Sequence, residues 1–296
     1  MARRSEAIAV LGRAVRTPQG AIGLAIAGCV VLAAVIGPFV APYPATEFVT
    51  SPFARPNSVA WLGGDILGRD VLSRTLDGGW ELLAMAAVAT ALGVGAGAVL
   101  GVMAAYYGGW WDAVIMRAVD VILAFPQLVF ALLLVAILGP KIWLIVLAVA
   151  ISHAPQVARV ARSSALDISE RDFVKAMQIL GMPGRRIIRR DVLPNLTSVL
   201  MVEIGLRLTY SMLVIAGLSF LGFGLQPPAP SWGLMINENR VGLIANPWGV
   251  LMPAILIALF TIGVNTFTDS VARASLGVGG RATEPEPVAL VAREVT

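Results

Sequence analysis

Residues able to do chemistry are scarce in this chain of 296 amino acids, which has one histidine and one cysteine. His153 and Cys29 exclude a disulfide framework, a Cys/His zinc site and an iron–sulfur cluster, whereas metal ligation by carboxylates alone stays open. The sequence has no G-x-x-x-x-G-K-[ST] loop and no Gly-Lys dipeptide, so it lacks that means of cradling nucleotide phosphate. Apart from that possibility of carboxylate ligation, we predict no catalytic residue, no metal site and no cofactor bound by this chain.

Three ionisable residues lie inside apolar stretches, where charge is costly and often marks a pathway. Glu203 and Arg207 are spaced i and i+4 with the acid first, which is the better order for an ion pair along a helix. Asp120 precedes Pro126, a residue able to kink a helix. One possibility is that all three line a translocation pathway or gate. The other is structural: Glu203 and Arg207 neutralise each other, and Asp120 lies near the inner surface.

The longest polar stretch, residues 162–194, is strongly basic and interrupts the apolar blocks. Within it Phe173, Met177 and Leu180 recur at i, i+4 and i+7, which places them on one face of a helix of about twelve residues. Such an amphipathic helix either lies in the lipid interface or sets its apolar face into a groove of another protein. The residues alone leave both possibilities open.

The ends of this amphipathic helix also have sequence signals. Ser169 followed by Asp172 resembles a capping box and predicts the start of the helix. Gly181 and then Pro183 predict its end. The helix is thus expected to stop before the basic run at residues 185–190.

The elements that hold these residues are membrane spans. The chain is 57% apolar and 14% charged, with a mean hydropathy of +0.81, and this composition argues against an ordinary soluble enzyme. Long apolar blocks predict transmembrane helices, at 20–41, 81–106, 113–138, 142–161, 195–221 and 248–272. The first block is too long for a signal peptide and has no clear cleavage site, so we expect it to be retained.

The basic residues indicate the orientation of the chain in the membrane. We do not predict a nucleic-acid partner from them. With the N-terminus in the cytoplasm, 16 of the 22 basic residues fall inside, 5 fall outside and Arg207 lies within a span. The reverse topology would expose the basic stretch 162–194 outside, against the positive-inside rule. Both termini are therefore predicted to be cytoplasmic, and residues 42–80 and 222–247 to be external.

The domain division follows from these spans. We predict a cytoplasmic segment at 1–19, a first span at 20–41, an external segment at 42–80, a core at 81–276 and a disordered cytoplasmic tail at 277–296. In the second span Gly93, Gly97 and Gly101 lie on one face, so a neighbouring helix can approach closely. That contact either slides or rocks, or packs statically.

A spacing pattern within residues 162–194 resembles a known family. The pattern is similar to the EAA loop of ABC importer permeases. It consists of Lys175-Ala176-Met177, three residues, Gly181, nine residues, Asp191, Val192 and Leu193-Pro194. The Ala, Gly, Leu and Pro of that motif are kept, whereas its Glu, second Ala and Ile are replaced by Lys175, Met177 and Asp191. In the family this loop forms a coupling helix that docks into a cleft of the ATP-hydrolysing subunit.

Residues 61–74, 112–126 and 219–233 resemble segments of the C-type subunits of dipeptide and oligopeptide permeases. The resemblance covers most of residues 20–276, and Asn265 and Asp269 match family positions in a looser sixth span. It implies an all-α polytopic membrane protein with six transmembrane helices, a type I ABC importer permease fold and a cytoplasmic coupling helix.

The resemblance also implies a function: half of the translocation pathway of an ATP-driven importer of di- and oligopeptides in the bacterial inner membrane. Its implied partners are a homologous second permease, two ATP-binding subunits that hold ATP and magnesium, and an external substrate-binding protein. The implied coupling residues are Phe173, Lys175, Ala176, Met177, Leu180, Gly181, Leu193 and Pro194.

Other functions remain alternatives from the sequence. Within the family the solute could be nickel, glutathione or another peptide-like molecule. An ion-coupled secondary transporter would show internal repeats with broken helices and midplane acids, whereas the polar insertion here is unrepeated. A membrane scaffold would give no reason for the coupling-loop spacing.

Overall fold

The computed structural model describes residues 2–275, and within this range the chain is helical with no β-strand. The helices are α1 (Ala2–Arg16), α2 (Pro18–Val40), α3 (Val71–Asp77), α4 (Trp80–Tyr107), α5 (Gly109–Leu123), α6 (Gln127–Leu138), α7 (Ile142–Ser169), α8 (Asp172–Ile179), α9 (Gly184–Ile187), α10 (Leu193–Asn195), α11 (Thr197–Phe220), α12 (Trp232–Asn239) and α13 (Trp248–Ser275). A π-helical turn, Ile188–Val192, joins α9 to α10, and a 3-10 turn, Arg240–Gly242, follows α12. The tail predicted at 277–296 lies outside the described residues.

Five elements are long and apolar enough to cross a membrane: α2, α4 with the short α3 before it, α7, α11 and α13. A sixth span exists only if α5 and α6 are taken together, because these helices are bent by 86° at the break between them. The block predicted at 113–138 is therefore two helices, not one continuous helix. The interruption follows from Pro126, which has no N–H and disfavours helical backbone in the residue before it.

α4 and α7 pack along their length through small residues. A Cβ atom built on Gly97 would lie 2.5 Å from a carbonyl oxygen of α7, and one built on Gly93 would lie 2.9 Å from another. The three closest pairs are Gly93 with Ala150, Gly97 with Ala154, and Gly101 with Ala158. With no side chain on either surface larger than a methyl group at these positions, the two backbones approach closely.

The two segments predicted to be external, 42–80 and 222–247, pack together at one end of the bundle, and we call them the cap. A nearly buried charge network joins them: Arg69 and Arg74 both pair with Asp65, and both reach Glu238 of α12, at 3.3 and 3.1 Å. Burial raises the pKa of Glu238, and Arg69 offsets this only in part. The cap is thus held by ion pairs shielded from water.

Further hydrogen bonds fix α12 and the loop after it to the first cap segment. The indole N–H of Trp232 donates to the carbonyl of Thr75 at 2.8 Å. The side-chain amide of Asn246 donates to the carbonyls of Leu62 and Gly64, each at 3.0 Å. The two segments, each predicted to be external, therefore lie on the same side of the helix bundle.

α4 separates the cap from the basic stretch. It begins beside the cap, where Gly79 lies against Trp232, and it ends where Tyr106 contacts Gly184. At 1.5 Å per residue its 28 residues span about 42 Å. The cap and α8 therefore lie at opposite ends of the protein.

Candidate coupling surface and membrane passage

α8 begins differently from the prediction. Arg171 is its N-cap residue, with extended backbone and no side-chain cap, and Asp172 is the acid in its first turn. The predicted capping box at Ser169 is wrong, because α7 continues through Ser169 and leaves that residue helical. Its hydroxyl is buried and has no hydrogen-bond partner within the described residues. As a helix, α7 continues eight residues past the predicted span 142–161, because no glycine or proline stops it there.

The end of α8 lies where the sequence places it. Gly181 has a φ of +69°, which glycine adopts without steric cost. The N–H of Met182 donates to the carbonyl of Met177 at 3.1 Å, and the N–H of Gly181 donates to that of Gln178 at 3.0 Å. These bonds form a Schellman-type end. The helix has 8 residues, fewer than the twelve expected.

Below α8 lies a buried apolar group that we call the α8 cluster. Its members are Val102, Ala105, Ala165, Ile168, Val174, Ile187, Val192 and Leu196. They come from α4, α7, α8, the π-helical turn and the segments beside it, so this cluster joins α8 to both long helices. Met177 and Leu193 are partly buried against it.

The opposite face of α8 is apolar and exposed. Ile179 is 86% exposed, Leu180 79% and Phe173 37%. The face predicted from spacing is therefore divided, since Met177 packs inward while Phe173 and Leu180 point outward. Ile179 is missing from the prediction because it falls outside the i, i+4, i+7 series.

The remaining predicted coupling residues lie around this surface. Lys175 and Ala176 are exposed on α8, and Pro194 is half-buried in α10. Arg185, Arg186, Arg189 and Arg190 are exposed, and none forms an ion pair with another described residue. An apolar patch bordered by free cations suits a protein partner with an acidic rim around an apolar cleft.

Glu203 and Arg207 form an ion pair within α11, with 2.9 Å between Arg207 Nε and Glu203 Oε2. Both side chains are largely buried. The Arg207 guanidinium also donates to the side chain of Gln156 on α7 and lies 5.6 Å from the centre of the Tyr210 ring. The pair therefore links α11 to α7 within the helix bundle, and its role as a gate stays a prediction.

Asp120 pairs with Arg159 of α7 at 2.6 Å, and the two side chains are 52% and 56% exposed. Arg162, one helical turn after Arg159 on α7, donates two hydrogen bonds to Asp112, each 2.5 Å long. Neither arginine was among the predicted pathway residues. The structure thus makes Asp120 part of an ionic contact between α5 and α7.

α7 carries a polar stripe that the sequence could have revealed. Ser152, Gln156 and Arg159 are spaced i, i+4 and i+7, so they share one helical face. Next to the first of them, His153 is fully buried and lies 2.9 Å from the amide nitrogen of Gln127. Through these residues α7 makes polar contacts with α6, α11 and α5. No group of three His, Cys, Asp or Glu residues within 2–275 could hold a metal ion.

Comparisons with known proteins agree on the kind of protein this chain resembles. Residues 97–275 match the family described as "Binding-protein-dependent transport system inner membrane component". The glutathione transport system permease protein GsiD of Escherichia coli O157:H7 is 36% identical over 241 residues, which cover 81% of this chain and 80% of that protein. GsiD of Pectobacterium atrosepticum is 38% identical over 214 residues, covering 72% and 71%.

Among solved structures, inward-facing forms of the MetNI methionine ABC transporter resemble this chain. One matches with a TM-score of 0.53 at 17% identity and covers 66% of this chain and 93% of that one. At this identity the likeness concerns the fold, and the shared fold is that of an ABC importer permease.

Proposed function

The chain belongs to the family of binding-protein-dependent transport system inner membrane components, and on this premise we propose that it carries a short peptide or peptide-like solute into the cell. It is the permease subunit of an ABC importer and a multi-pass protein of the inner membrane. The substrate class is supported by one observation, the 36% identity over 241 residues to permeases named for glutathione transport. Glutathione is a tripeptide, so a di- or oligopeptide and glutathione share their chemistry.

Permeases of this family work with a second permease, ATPase subunits and an external binding protein. We propose that the second permease is homologous, that two ATPase subunits hold ATP and magnesium and perform all hydrolysis, and that this chain binds no cofactor. Both termini then face the cytoplasm and the cap faces the binding protein. The positive-inside distribution of arginine and lysine supports this orientation.

The exposed face of α8 is the proposed contact with an ATPase subunit. Ile179, Leu180 and Phe173 would enter an apolar cleft, as a helix enters a groove. Because Val174 and Met177 pack into the α8 cluster with residues of α4 and α7, a displacement of α8 is passed to both long helices. A few kcal/mol of differential binding is enough to shift a two-state permease from one packed form to the other.

The substrate is tested by uptake into proteoliposomes that contain this chain with its partner permease, ATPase subunits and binding protein. Labelled glutathione and labelled di- and tripeptides should accumulate when ATP is present, and methionine and nickel ions should not. An ATP-driven complex that accumulates nickel or methionine but none of the peptides would contradict the proposed substrate class.

The coupling surface is tested with Ile179→Asp and Leu180→Asp. Each variant should lower co-purification of the ATPase subunit at least tenfold, which corresponds to about 1.4 kcal/mol, with an unchanged thermal midpoint because both side chains are exposed. Ile244→Asp is the matched control, since Ile244 is 99% exposed and lies in the cap at the other end of the protein. Equal retention of the ATPase by all three variants would remove α8 as the contact.

A further inference from the structure

The break between α5 and α6 leaves irregular backbone on the surface of the chain. Residues 124–126 are all exposed, and the two helices meet there at 86°. Pro126 is the N-cap of α6, and no side chain caps this helix. The first N–H groups of α6 therefore lack the partners that a continuous helix would supply, whereas the carbonyls of Asp120 and Ile122 still accept from the N–H groups of Ala124 and Phe125.

The depth of this break follows from the helices beside it. Gln127, the first residue of α6, contacts His153 of α7, which in turn lies against Gly93 of α4. Gly93 is thirteen residues after the start of α4 and fourteen before its end. Since α4 is about 42 Å long and the hydrocarbon layer about 30 Å thick, the break lies near the middle of the membrane.

Lipid is a poor neighbour for this surface. Irregular backbone at membrane depth is tolerated only where protein buries it or where it lines a water-filled space. One turn before the break, Asp120 and Arg159 are each about half exposed. Arg117, three residues earlier, is exposed and forms no ion pair within the described residues. Ionisable side chains of this kind rarely face lipid.

A dry protein contact is also a poor neighbour. Burying Arg117 without a carboxylate would leave an uncompensated charge, and burying Asp120 with Arg159 would remove the water that solvates half of each side chain. Water satisfies the charges and the free backbone groups together. We infer that the α5–α6 break near the middle of the membrane, together with Asp120 and Arg159 on its α8 side, lines an aqueous passage.

This inference deepens the proposed function by assigning this chain's wall of the passage, and it rests on that function only for the identity of the solute. A wall with a carboxylate, guanidinium groups and free backbone amides suits a polar solute that carries both signs of charge, as a peptide does. The presence of water at the break can be measured without knowing which solute is transported.

The test uses the single native cysteine as its control. Cys29 is exposed at the midpoint of α2, an unbroken helix whose exposed side chains are apolar. In membrane vesicles holding the complete importer, Cys29 of the parent chain should stay unlabelled by a membrane-impermeant cationic thiosulfonate until the protein is denatured. A thiol forms the reactive thiolate only where water reaches it.

Ala124→Cys at the break and Val121→Cys in the last turn of α5, where Val121 is 58% exposed, are then made separately in a Cys29→Ser chain. Both should react with the cationic thiosulfonate at least about 100-fold faster than Cys29 does, because the reagent and the thiolate both need water. Failure of both new cysteines to react with the thiosulfonate until denaturation, which indicates lipid or a dry protein contact, would overturn the inference. Peptide uptake can fail in either case without affecting this measurement, so the two proposals fail separately.

Discussion

The contact between α4 and α7 can be tested by adding one methyl group at a time. Gly97 and Gly95 lie two residues apart on the same helix, but their surroundings differ. A Cβ atom on Gly97 would lie 2.5 Å from the carbonyl oxygen of Ala154 and 2.7 Å from Val157 Cβ, whereas a Cβ atom on Gly95 meets nothing within 4 Å. Gly97→Ala and Gly95→Ala therefore change the same atoms in a tight and in an open environment.

The magnitude follows from the missing space. Ordinary contact begins at 3.4 Å, so the methyl group at position 97 is 0.9 Å too close to the backbone of α7. Overpacking of this kind costs about 1–3 kcal/mol. Replacing glycine by alanine inside a helix returns about 1 kcal/mol of helix propensity in both variants. The difference between the two variants therefore isolates the steric cost of about 1–3 kcal/mol.

The assay is the thermal midpoint of the purified importer in one detergent, measured for the parent and for both variants. For a chain of this size 1 kcal/mol corresponds to roughly 2–4 °C, so Gly97→Ala should unfold roughly 2–12 °C below Gly95→Ala. Gly95→Ala should match or exceed the parent. Midpoints of the two variants that agree within about 1 °C would refute close packing of α4 on α7.

Two further predictions concern the charged groups. Glu203→Gln should lower the free energy of unfolding by about 3–5 kcal/mol, because Arg207 is left buried without its carboxylate. The double variant Glu203→Gln with Arg207→Met should lose less stability. If the uptake kinetics per folded complex are unchanged in the double variant, the pair is structural and not a gate. Burial raises the pKa of Glu238, so the folded cap holds this proton more tightly than the unfolded chain does, and this contribution to stability grows as the pH falls from neutrality through the folded pKa. Glu238→Gln should remove this pH-dependent contribution to stability. The measurement is the change in thermal midpoint between pH 7 and pH 5, and an equal change in parent and variant would contradict the raised pKa.

The long apolar blocks and the spacing of the EAA-like motif predicted most of the fold. The family predicted from the EAA-like spacing and the cap segments is confirmed by the match over residues 97–275. Five predicted blocks correspond to unbroken apolar helices, because an apolar run of this length has one main solution in a bilayer, a helix. The third block failed as one helix because hydropathy does not report backbone direction, and only Pro126 marked the break.

Side-chain partners were harder to predict than spans. The sequence pointed to Asp120 but not to Arg159, because the two are 39 residues apart and meet only after α5 and α7 pack. The prediction of a capping box at Ser169 was wrong because no glycine or proline ends α7 before that residue, so Ser169 is part of α7. In α8 the spacing located the apolar face, whereas its division into a buried and an exposed part depends on the α8 cluster beneath it.

The two faces of α7 indicate which parts of the permease move together. One face is held to α4 by contacts that leave no room for an added methyl group, and both helices contribute to the cluster under α8. α4, α7 and α8 are therefore expected to move as one unit when an ATPase subunit displaces α8. α5 is different, because Val119 is its only buried residue and ionic contacts join it to α7. Ionic contacts that face water exchange partners at a small free-energy cost, so α5 is expected to move against α7 more easily than α4 does.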